Sequence, residues 1–267
     1  MLFQSEQEQQ IVNNFLLRNN LFVHNLVPQK NIINFLKKIN VYQTELVRLG
    51  NNNDGGYLVP NDLKDITACF SPGVDTTIQF EKDLSKKNIP SYLLDYSIDS
   101  LPEENHLFTF EKKYLGINND NMTINFNTWI NKYCKNNITD EYILQMDIEG
   151  SEYEVLLNLE NSLLKKFRIM IIEFHSFNNL LHPAGYRQIN ALFDKILEYF
   201  YIVHIHPNNI FPVVNAMDIS IPTLLEFSFI RKDRLDKKTK VTSLPNDLDQ
   251  KNILNKEDII LPGYWYK

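Results

Sequence analysis

The chain has 267 residues, of which 43% are hydrophobic and 22% charged, and its formal net charge is −6. This length and composition suffice for one large α/β domain with a full hydrophobic core. The acidic balance and the scattered basic residues argue against a nucleic-acid backbone or an anionic membrane as the main partner.

The first ten residues, MLFQSEQEQQ, are polar and acidic, unlike a secretory signal. No apolar run approaches the roughly 18 residues that a membrane span requires. Cys69 and Cys134 have no zinc-like spacing, which favours a reducing compartment. We therefore expect a soluble, cytoplasmic protein that does not insert into a membrane.

Apolar residues at helical spacing over residues 8–38, interrupted at Pro28, predict two N-terminal helices. We interpret residues 1–45 as a helical cap or an oligomerisation segment, and residues 46–267 as the main domain. Phe15, Leu16, Phe35 and Leu36 are candidates for an apolar interface in a homo-oligomer.

From residue 66 onward, short apolar runs alternate with amphipathic segments, which is typical of a Rossmann-like, doubly wound α/β sheet. The predicted strands cover residues 66–70, 91–95, 106–110, 142–147, 168–174, 201–206 and 224–230. The predicted helices cover residues 77–87, 127–135, 151–158 and 186–199.

The connection before the last predicted strand, residues 207–222, leaves no room for a crossover helix. We therefore expect a mostly parallel seven-stranded sheet with one antiparallel edge strand, beside its predecessor. The charged segment 231–258 is predicted to be a solvated loop with a short helix.

Two glycine turns flank the first predicted strand, and the second follows its carboxyl end, where ligands bind in such sheets. Gly55 and Gly56, flanked by Asp54 and Tyr57, form either a hairpin turn or a loop that closes over a cofactor. Gly73 follows the first strand of the sheet and suits either a plain tight turn or the close approach of a ligand.

Asp95 ends the second strand of the sheet, about 20 residues after Gly73, where nucleoside-binding domains place an acid against ribose hydroxyls. A helix cap or a solvated carboxylate is the alternative. The complete G-x-G-x-x-G pattern and a Tyr-x-x-x-Lys pair are both missing, which argues against a nicotinamide-dependent enzyme.

The richest group of ionisable residues follows the fourth and fifth strands. Asp147 and Glu149 lie in LQMDIEGSE, and Glu173 and His175 lie two apart in IIEFHSF, so the latter pair is expected on one face. Carboxylates with an imidazole suit either Mg²⁺ or Mn²⁺, held by Asp147 and Glu173, or a general base. An ion-pair cluster without catalytic purpose is the structural alternative.

His204 and His206 share a face of the sixth strand, but a zinc site would need further ligands that the sequence does not identify. We interpret His206, Asn208 and Asn209 as substrate-binding groups, with a structural role as the alternative. Glu149 joins them as a candidate substrate contact.

These blocks resemble the FkbM-type, S-adenosylmethionine-dependent methyltransferases. LQMDIEGSEYEVL is similar to the most characteristic block of the family, and RLGNNNDGGYLV, SPGVDTTIQFEKDL and IIEFHSF resemble flanking blocks. The resemblance implies that S-adenosylmethionine binds over Gly73, with Asp95 on its ribose, Ser71 or Glu81 nearby, and Asp54, Gly56, Tyr57 and Asp147 as further contacts.

The resemblance also implies O-methylation of a sugar hydroxyl, for example on a nucleotide-activated sugar or a surface-polysaccharide precursor. His175 is the candidate base, oriented by Glu173 or Asp147, and a bound metal is the alternative activator. A non-catalytic Rossmann-like protein that binds a nucleotide-sugar or a protein partner is the competing hypothesis.

Overall fold

The computed structural model describes residues 6–19, 25–134 and 140–266. Two helices come first, α1 (Glu6–Arg18) and α2 (Gln29–Leu36). Residues 1–5 and 20–24 of the predicted N-terminal segment, and the predicted end of a helix at residue 135, lie outside the described residues.

An antiparallel hairpin follows, made of β1 (Leu46–Gly50) and β2 (Gly56–Pro60). Its turn contains the Asp-Gly dipeptide, so the hairpin interpretation of this segment is confirmed. Tyr57 and Val59 of β2 pack in one cluster with Ile143 and Ile171, which places the hairpin against a face of the central sheet.

The remaining strands in the described part of the chain are β3 (Ala68–Pro72), β4 (Ser91–Leu94), β5 (Phe108–Glu111), β6 (Tyr114–Gly116), β7 (Thr123–Asn125), β8 (Tyr142–Met146), β9 (Phe167–Phe174), β10 (Phe200–Pro207), β11 (Val213–Ala216), β12 (Ile219–Pro222) and β13 (Leu225–Arg231). Seven of them form the central sheet, in the order β10-β13-β9-β8-β3-β4-β5. All seven overlap the strands predicted from apolar runs.

The sheet is parallel except for β13, which runs antiparallel to both of its neighbours. The prediction that the reversed strand returns beside its predecessor is confirmed, but its position at the edge is wrong. β13 lies between β9 and β10. Helix α7 (Pro183–Tyr199) carries the chain past the position next to β9, so β10 leaves that position open and β13 later fills it. β13 is buried along nearly its whole length, as an interior strand must be.

The other helices are α3 (Gln79–Ser85), α4 (Phe126–Tyr133), α5 (Glu152–Asn158) and α6 (Asn161–Leu164), with 3-10 turns at Phe177–Leu181, Lys232–Arg234 and Gly263–Trp265. Local side-chain chemistry explains where two of the helices begin. The Asn125 side chain accepts hydrogen bonds from the backbone N–H groups of Asn127 and Thr128 and so caps α4. Pro183 stands in the first turn of α7, where a missing N–H costs nothing.

Helix α2 belongs to the main core. Phe35 is fully buried, and its ring lies 5.3 Å from that of Phe193 on α7. Phe35 and Leu36 are therefore not available for the interface proposed from the sequence, because the central sheet and α7 already cover them. Phe15 on α1, by contrast, is 64% exposed.

Segment 231–258 differs from the solvated loop that its charge predicts. It is largely irregular, but the Asn252 side chain is buried and that of Asp249 is 5% exposed. Both contact the carboxyl end of the central sheet. In the part of the chain that the structure describes, no helix combines the length and apolar character that crossing a membrane would require.

Candidate functional site

A cavity of about 590 Å³ opens at the carboxyl ends of β3, β4 and β8. Its size is in the range of cofactor and small-molecule sites. Val74, Leu94, Leu115 and Ile148 supply apolar wall, and Asp95 and Asp147 are among the acids that face it. This is the place where a doubly wound sheet binds its ligands.

Gly73 forms the turn that opens the cavity floor. Its φ is +82°, and a Cβ atom there would lie 1.5 Å from the backbone oxygen of Asp147. Only glycine fits, because the loops after β3 and β8 touch at this point. This geometry fits the tight-turn interpretation of Gly73, and the close approach of a ligand there stays a prediction.

Asp95 lines the cavity just after β4, as predicted, and its carboxylate organises the neighbouring loop. Oδ2 accepts from the backbone N–H of Asp75 at 2.8 Å, and Oδ1 accepts from the backbone N–H of Ser97 at 2.7 Å. Oδ1 also accepts from the Ser97 hydroxyl at 2.7 Å, so Oδ2 is the oxygen with a further lone pair for a ligand hydroxyl.

A buried polar network lies beneath the cavity. The Ser71 hydroxyl contacts Glu81 Oε1 and lies 2.6 Å from Gln145 Oε1, and Gln145 Nε2 donates to the Tyr57 hydroxyl at 3.4 Å. Burial raises the pKa of Glu81 to about 7, against the opposing effect of its hydrogen bond with Ser71. Glu81 and Tyr57 line the cavity, whereas Ser71 stands behind them and does not.

The hairpin turn contributes a wall of the same cavity. Asp54, Gly55 and Tyr57 line it, and Gly56 does not. A Cβ atom on Gly56 would lie 1.8 Å from the backbone oxygen of Asn51, so this glycine serves the tight turn instead of a ligand contact. The two interpretations of the segment, hairpin and cavity wall, are therefore compatible.

Next to the cavity, His175 is held by a buried acid that the sequence analysis did not assign. Its Nδ1 lies 2.9 Å from Oε1 of Glu152, whose side chain is completely buried. The same oxygen accepts from the backbone N–H groups of Ile148 and Gly150. Because Glu152 Oε1 acts as an acceptor, we assign the imidazole proton to Nδ1 and the lone pair to Nε2.

Nε2 of His175 faces two acids that line the cavity, at 3.3 Å from Glu149 and 3.7 Å from Asp147. Burial by itself lowers the pKa of His175, but the hydrogen bond with Glu152 and the surrounding negative charges outweigh it and raise the pKa. Burial also raises the pKa of Asp147 to about 7; His175 opposes this rise, while Glu149 and Glu152 add to it. This group can therefore exchange protons near neutral pH.

Glu149 sits in a left-handed backbone conformation, with φ at 53°, and so does Ser176, directly after His175, with φ at 52°. Such conformations are costly for residues other than glycine. Their position on both sides of this histidine indicates that the local structure holds the site in a defined geometry.

The predicted pairing of Glu173 with His175 does not occur. Glu173 Oε1 instead accepts from Asn208 Nδ2 at 3.0 Å, and burial raises its pKa well above the ordinary value. The alternation of side chains ends with β9 at Phe174, so His175 lies in the following turn and bonds to Glu152. Neither Glu173 nor His175 lines the cavity itself.

The structure does not bring together Asp147 and Glu173, the predicted pair of metal ligands, as one ligand group. Among the described residues, the ligand atoms of Asp147, Glu149 and His175 lie within 4.8 Å of one another, which suits a divalent cation. Glu173 is not in this group, because its carboxylate is turned toward Asn208.

His206, Asn208 and Asn209, predicted to bind substrate, do not line the cavity. Asn208 Nδ2 bridges Glu173 and Asp54, and Asn209 bonds the backbone of Ile253 and Glu257. Burial lowers the pKa of His206, whose Nε2 lies 3.1 Å from Asn252 Oδ1. His206 and Asn209 thus bind segment 246–257, and Asn208 binds the acids Glu173 and Asp54.

The sequence analysis missed four residues of the hydrogen-bond networks around the cavity. Glu152 and Gln145 were visible as an acid at a helix start and a polar residue within an apolar strand, and Glu226 was a polar residue in the last strand. Asn252 gave no local signal. Its amide donates to Glu226 Oε1 at 2.7 Å and to Asp54 Oδ1 at 3.1 Å, which joins the tail to the cavity wall.

Comparison with known proteins agrees with this architecture. The sequence model of the methyltransferase FkbM domain matches residues 13–204, which include the turn at Gly73, the cavity and the group around His175. A comparison with curated proteins finds no match. The chain belongs to the FkbM methyltransferase family.

Proposed function

We propose that this methyltransferase transfers a methyl group from S-adenosylmethionine to a hydroxyl of a sugar, such as a nucleotide-activated sugar or a surface-polysaccharide precursor. The observation that carries O-methylation is His175, whose Nδ1 is held by buried Glu152 while Nε2 faces two cavity-lining acids. A sugar hydroxyl is a very weak acid, so a positioned base is needed beside the methyl donor.

S-adenosylmethionine is the usual methyl donor of this family, and the cavity residues fit it. Gly73 and Asp95 line the cavity, Asp95 can accept a ribose hydroxyl, and apolar walls suit an adenine ring. The acids of the cavity suit the positive charges of the donor. When bound, the donor supplies a methyl group that a sulfonium already activates.

In the proposed mechanism, the acceptor hydroxyl binds beside Asp147 and Glu149, with its proton directed at Nε2 of His175. His175 takes this proton as the acceptor oxygen takes the methyl group, and Glu152 stabilises the resulting imidazolium. The walls of the cavity align oxygen, carbon and sulfur for in-line displacement. Glu152 is a positioning residue, because it acts through His175.

A second route to the same reaction follows from the ligand geometry of Asp147, Glu149 and His175. These residues would hold Mg²⁺ or Mn²⁺, and such a cation lowers the pKa of a bound hydroxyl directly. Methyl transfer that requires added metal and stops with EDTA would favour this route over the histidine base.

The first test is calorimetric titration of the purified protein with S-adenosylmethionine and, as the competing ligand, NAD. We expect micromolar binding of S-adenosylmethionine and none of NAD. If neither ligand binds, the methyltransferase proposal fails, and the non-catalytic binding protein becomes the better hypothesis.

The second test follows radiolabelled methyl transfer to a panel of nucleotide-sugars. We expect His175→Gln to lower kcat by about 100-fold or more. Glu152→Gln should shift the limb of the pH–rate profile in which the rate rises with pH to lower pH. Burial by itself lowers the pKa of His175, and Glu152 contributes most to raising it. Loss of the Glu152 charge therefore lowers this pKa, and the limb moves to lower pH. A purely structural role for Glu152 would change the rate without moving this limb.

The cytoplasmic location and the homo-oligomer remain predictions from the sequence.

A further inference from the structure

A second cluster of buried histidines lies on β10, outside the methyl-transfer cavity. His204 and His206 are 2% and 5% exposed, and their rings lie 6.4 Å apart and nearly parallel. The pairing of β10 with β13 shifts register between Ile202 and His204, and both histidines follow this bulge. Strand bulges redirect side chains, and here both imidazoles point to the same side.

Asp249, from the irregular segment after β13, completes the cluster. Its Oδ1 lies 2.8 Å from Nε2 of His204 and 3.7 Å from Nδ1 of His206. The other oxygen, Oδ2, accepts from the backbone N–H of Asn246 at 2.7 Å, which fixes the orientation of the carboxylate. One ligand atom from each of the three residues lies within 4.8 Å of the others.

The hydrogen bonds around His206 determine which of its nitrogens carries a proton. Asn252 donates through Nδ2 to Glu226 and Asp54, so its Oδ1 faces Nε2 of His206 as an acceptor, at 3.1 Å. Nε2 therefore carries the proton, and Nδ1 presents its lone pair to the Asp249 carboxylate. A lone pair that faces a carboxylate in a buried site is satisfied by a cation between them, either a proton or a metal ion.

Three of the four ring nitrogens in the cluster have no hydrogen bond. Nδ1 of His206 and both ring nitrogens of His204 are buried without a hydrogen bond. Nε2 of His204 contacts Asp249 Oδ1 at ion-pair distance, 2.8 Å. Buried polar atoms are nearly always hydrogen-bonded, so three ring nitrogens without a hydrogen bond beside one carboxylate suit a bound ligand.

We propose that His204, His206 and Asp249 bind a divalent transition-metal ion of the zinc class. Ligand atoms at about 2.0–2.2 Å from one Zn²⁺ lie about 3–3.5 Å from each other, which is close to the two separations from Asp249. Two imidazoles and one carboxylate prefer Zn²⁺ to Mg²⁺, which favours oxygen ligands. Asn252 would orient His206 from outside, as the partners of metal-bound histidines commonly do.

This site is independent of the proposed methyl transfer. Its metal would tie segment 246–252 to β10 and so hold Asn252 against Asp54, a wall residue of the cavity. The ion would thus attach the C-terminal segment to the sheet, with an indirect effect on the hairpin wall.

The test uses the full-length protein, dialysed against EDTA and then titrated with Zn²⁺. We expect one tightly bound Zn²⁺ per chain by calorimetry and elemental analysis, together with a higher Tm. Asp249→Ala and His206→Gln should remove tight binding, while Asn252→Ala should weaken it by about 10–100-fold, as changes to outer partners do.

Two controls distinguish this site from others. His182→Gln removes an exposed histidine, and His175→Gln removes a ligand of the other possible metal group; both should keep the tight site. X-ray absorption of the zinc-loaded wild-type protein should show two imidazoles, which tests the proposal even if a variant fails to fold. No tight Zn²⁺ binding by the wild type, or binding that only His175→Gln abolishes, would overturn it.

Discussion

At the scale of single residues, two left-handed glycines near the cavity have different reasons to be glycine. Gly73 has a φ of +82° and a backbone oxygen where its Cβ would be, whereas Gly150 has a φ of +106° and open space around it. Substitution at Gly150 meets only backbone strain, about 1–2 kcal/mol, while substitution at Gly73 also forces the β3 and β8 loops apart.

We therefore expect Gly73→Ala to weaken S-adenosylmethionine binding by at least about tenfold and to lower Tm, since one tenfold step in affinity is about 1.4 kcal/mol. Gly150→Ala, the matched control, should lower Tm slightly and leave the affinity within a few-fold. The measurements are calorimetric titration and thermal unfolding of both variants. Equal effects of the two substitutions would show that contact at Gly73 has no special role.

At the scale of elements, β8, β9 and β13 are tied together at the end of the sheet opposite the cavity. Arg168 is 5% exposed; it donates to Glu141 Oε2 at 2.6 Å and to the backbone oxygen of Lys64 at 2.6 Å. Arg231 donates to the other oxygen of Glu141 at 2.6 Å. This network joins the ends of three strands and the segment after the hairpin, far from the ligand site.

Arg168→Met should lower the free energy of unfolding by about 3–5 kcal/mol, because it leaves buried acceptors and part of the Glu141 charge without a partner. The affinity of the folded protein for S-adenosylmethionine should stay within twofold. Arg234→Met is the control: Arg234 also binds Asp62 but its side chain is 38% exposed, so a loss below about 1 kcal/mol is expected. Urea unfolding measures both, and a large loss of ligand affinity in Arg168→Met would contradict the separation of stability from binding.

At the scale of the whole molecule, acids concentrate at the carboxyl end of the sheet and oppose folding when they ionise. Burial raises the pKa of Glu226 to about 8, with Asn252 and Arg48 opposing this rise and Asp54 and Asp249 adding to it. In the unfolded chain the same group ionises near 4.5. The folded state therefore binds more protons between these values, and the contribution of Glu226 to stability is lost as pH rises from about 4.5 to 8.

Glu226→Gln removes this dependence while keeping an oxygen for Asn252. We expect the Tm of this variant to exceed that of the wild type by at least about 4 °C at pH 8.5 and by much less at pH 5. For chains of this size, a stability change of 1 kcal/mol typically shifts Tm by about 2–4 °C. Glu154→Gln, at an exposed position, should show no pH-dependent difference. The same Tm difference for Glu226→Gln at both pH values would exclude a raised pKa.

Apolar runs were enough to locate the seven strands of the central sheet, because burial on both faces requires continuous apolar sequence. The short block after β8 identified the family, and the spacing of Gly73, Asp95 and Asp147 located the cavity, because in a parallel sheet successive strand ends meet at one edge. The apolar runs and the family block depend on neighbours in sequence, so the sequence alone determined them.

Only the tertiary structure decided which side chains become partners. Glu152 instead of Glu173 holds His175, β13 enters the sheet instead of lying at its edge, and Asp249 reaches His204 from a segment whose charge predicts a solvated loop. Each outcome depends on contacts between residues distant in sequence, which no local periodicity records. The chain by itself determined the strands and the family, while packing decided the partner of His175, the position of β13 and the buried histidine cluster.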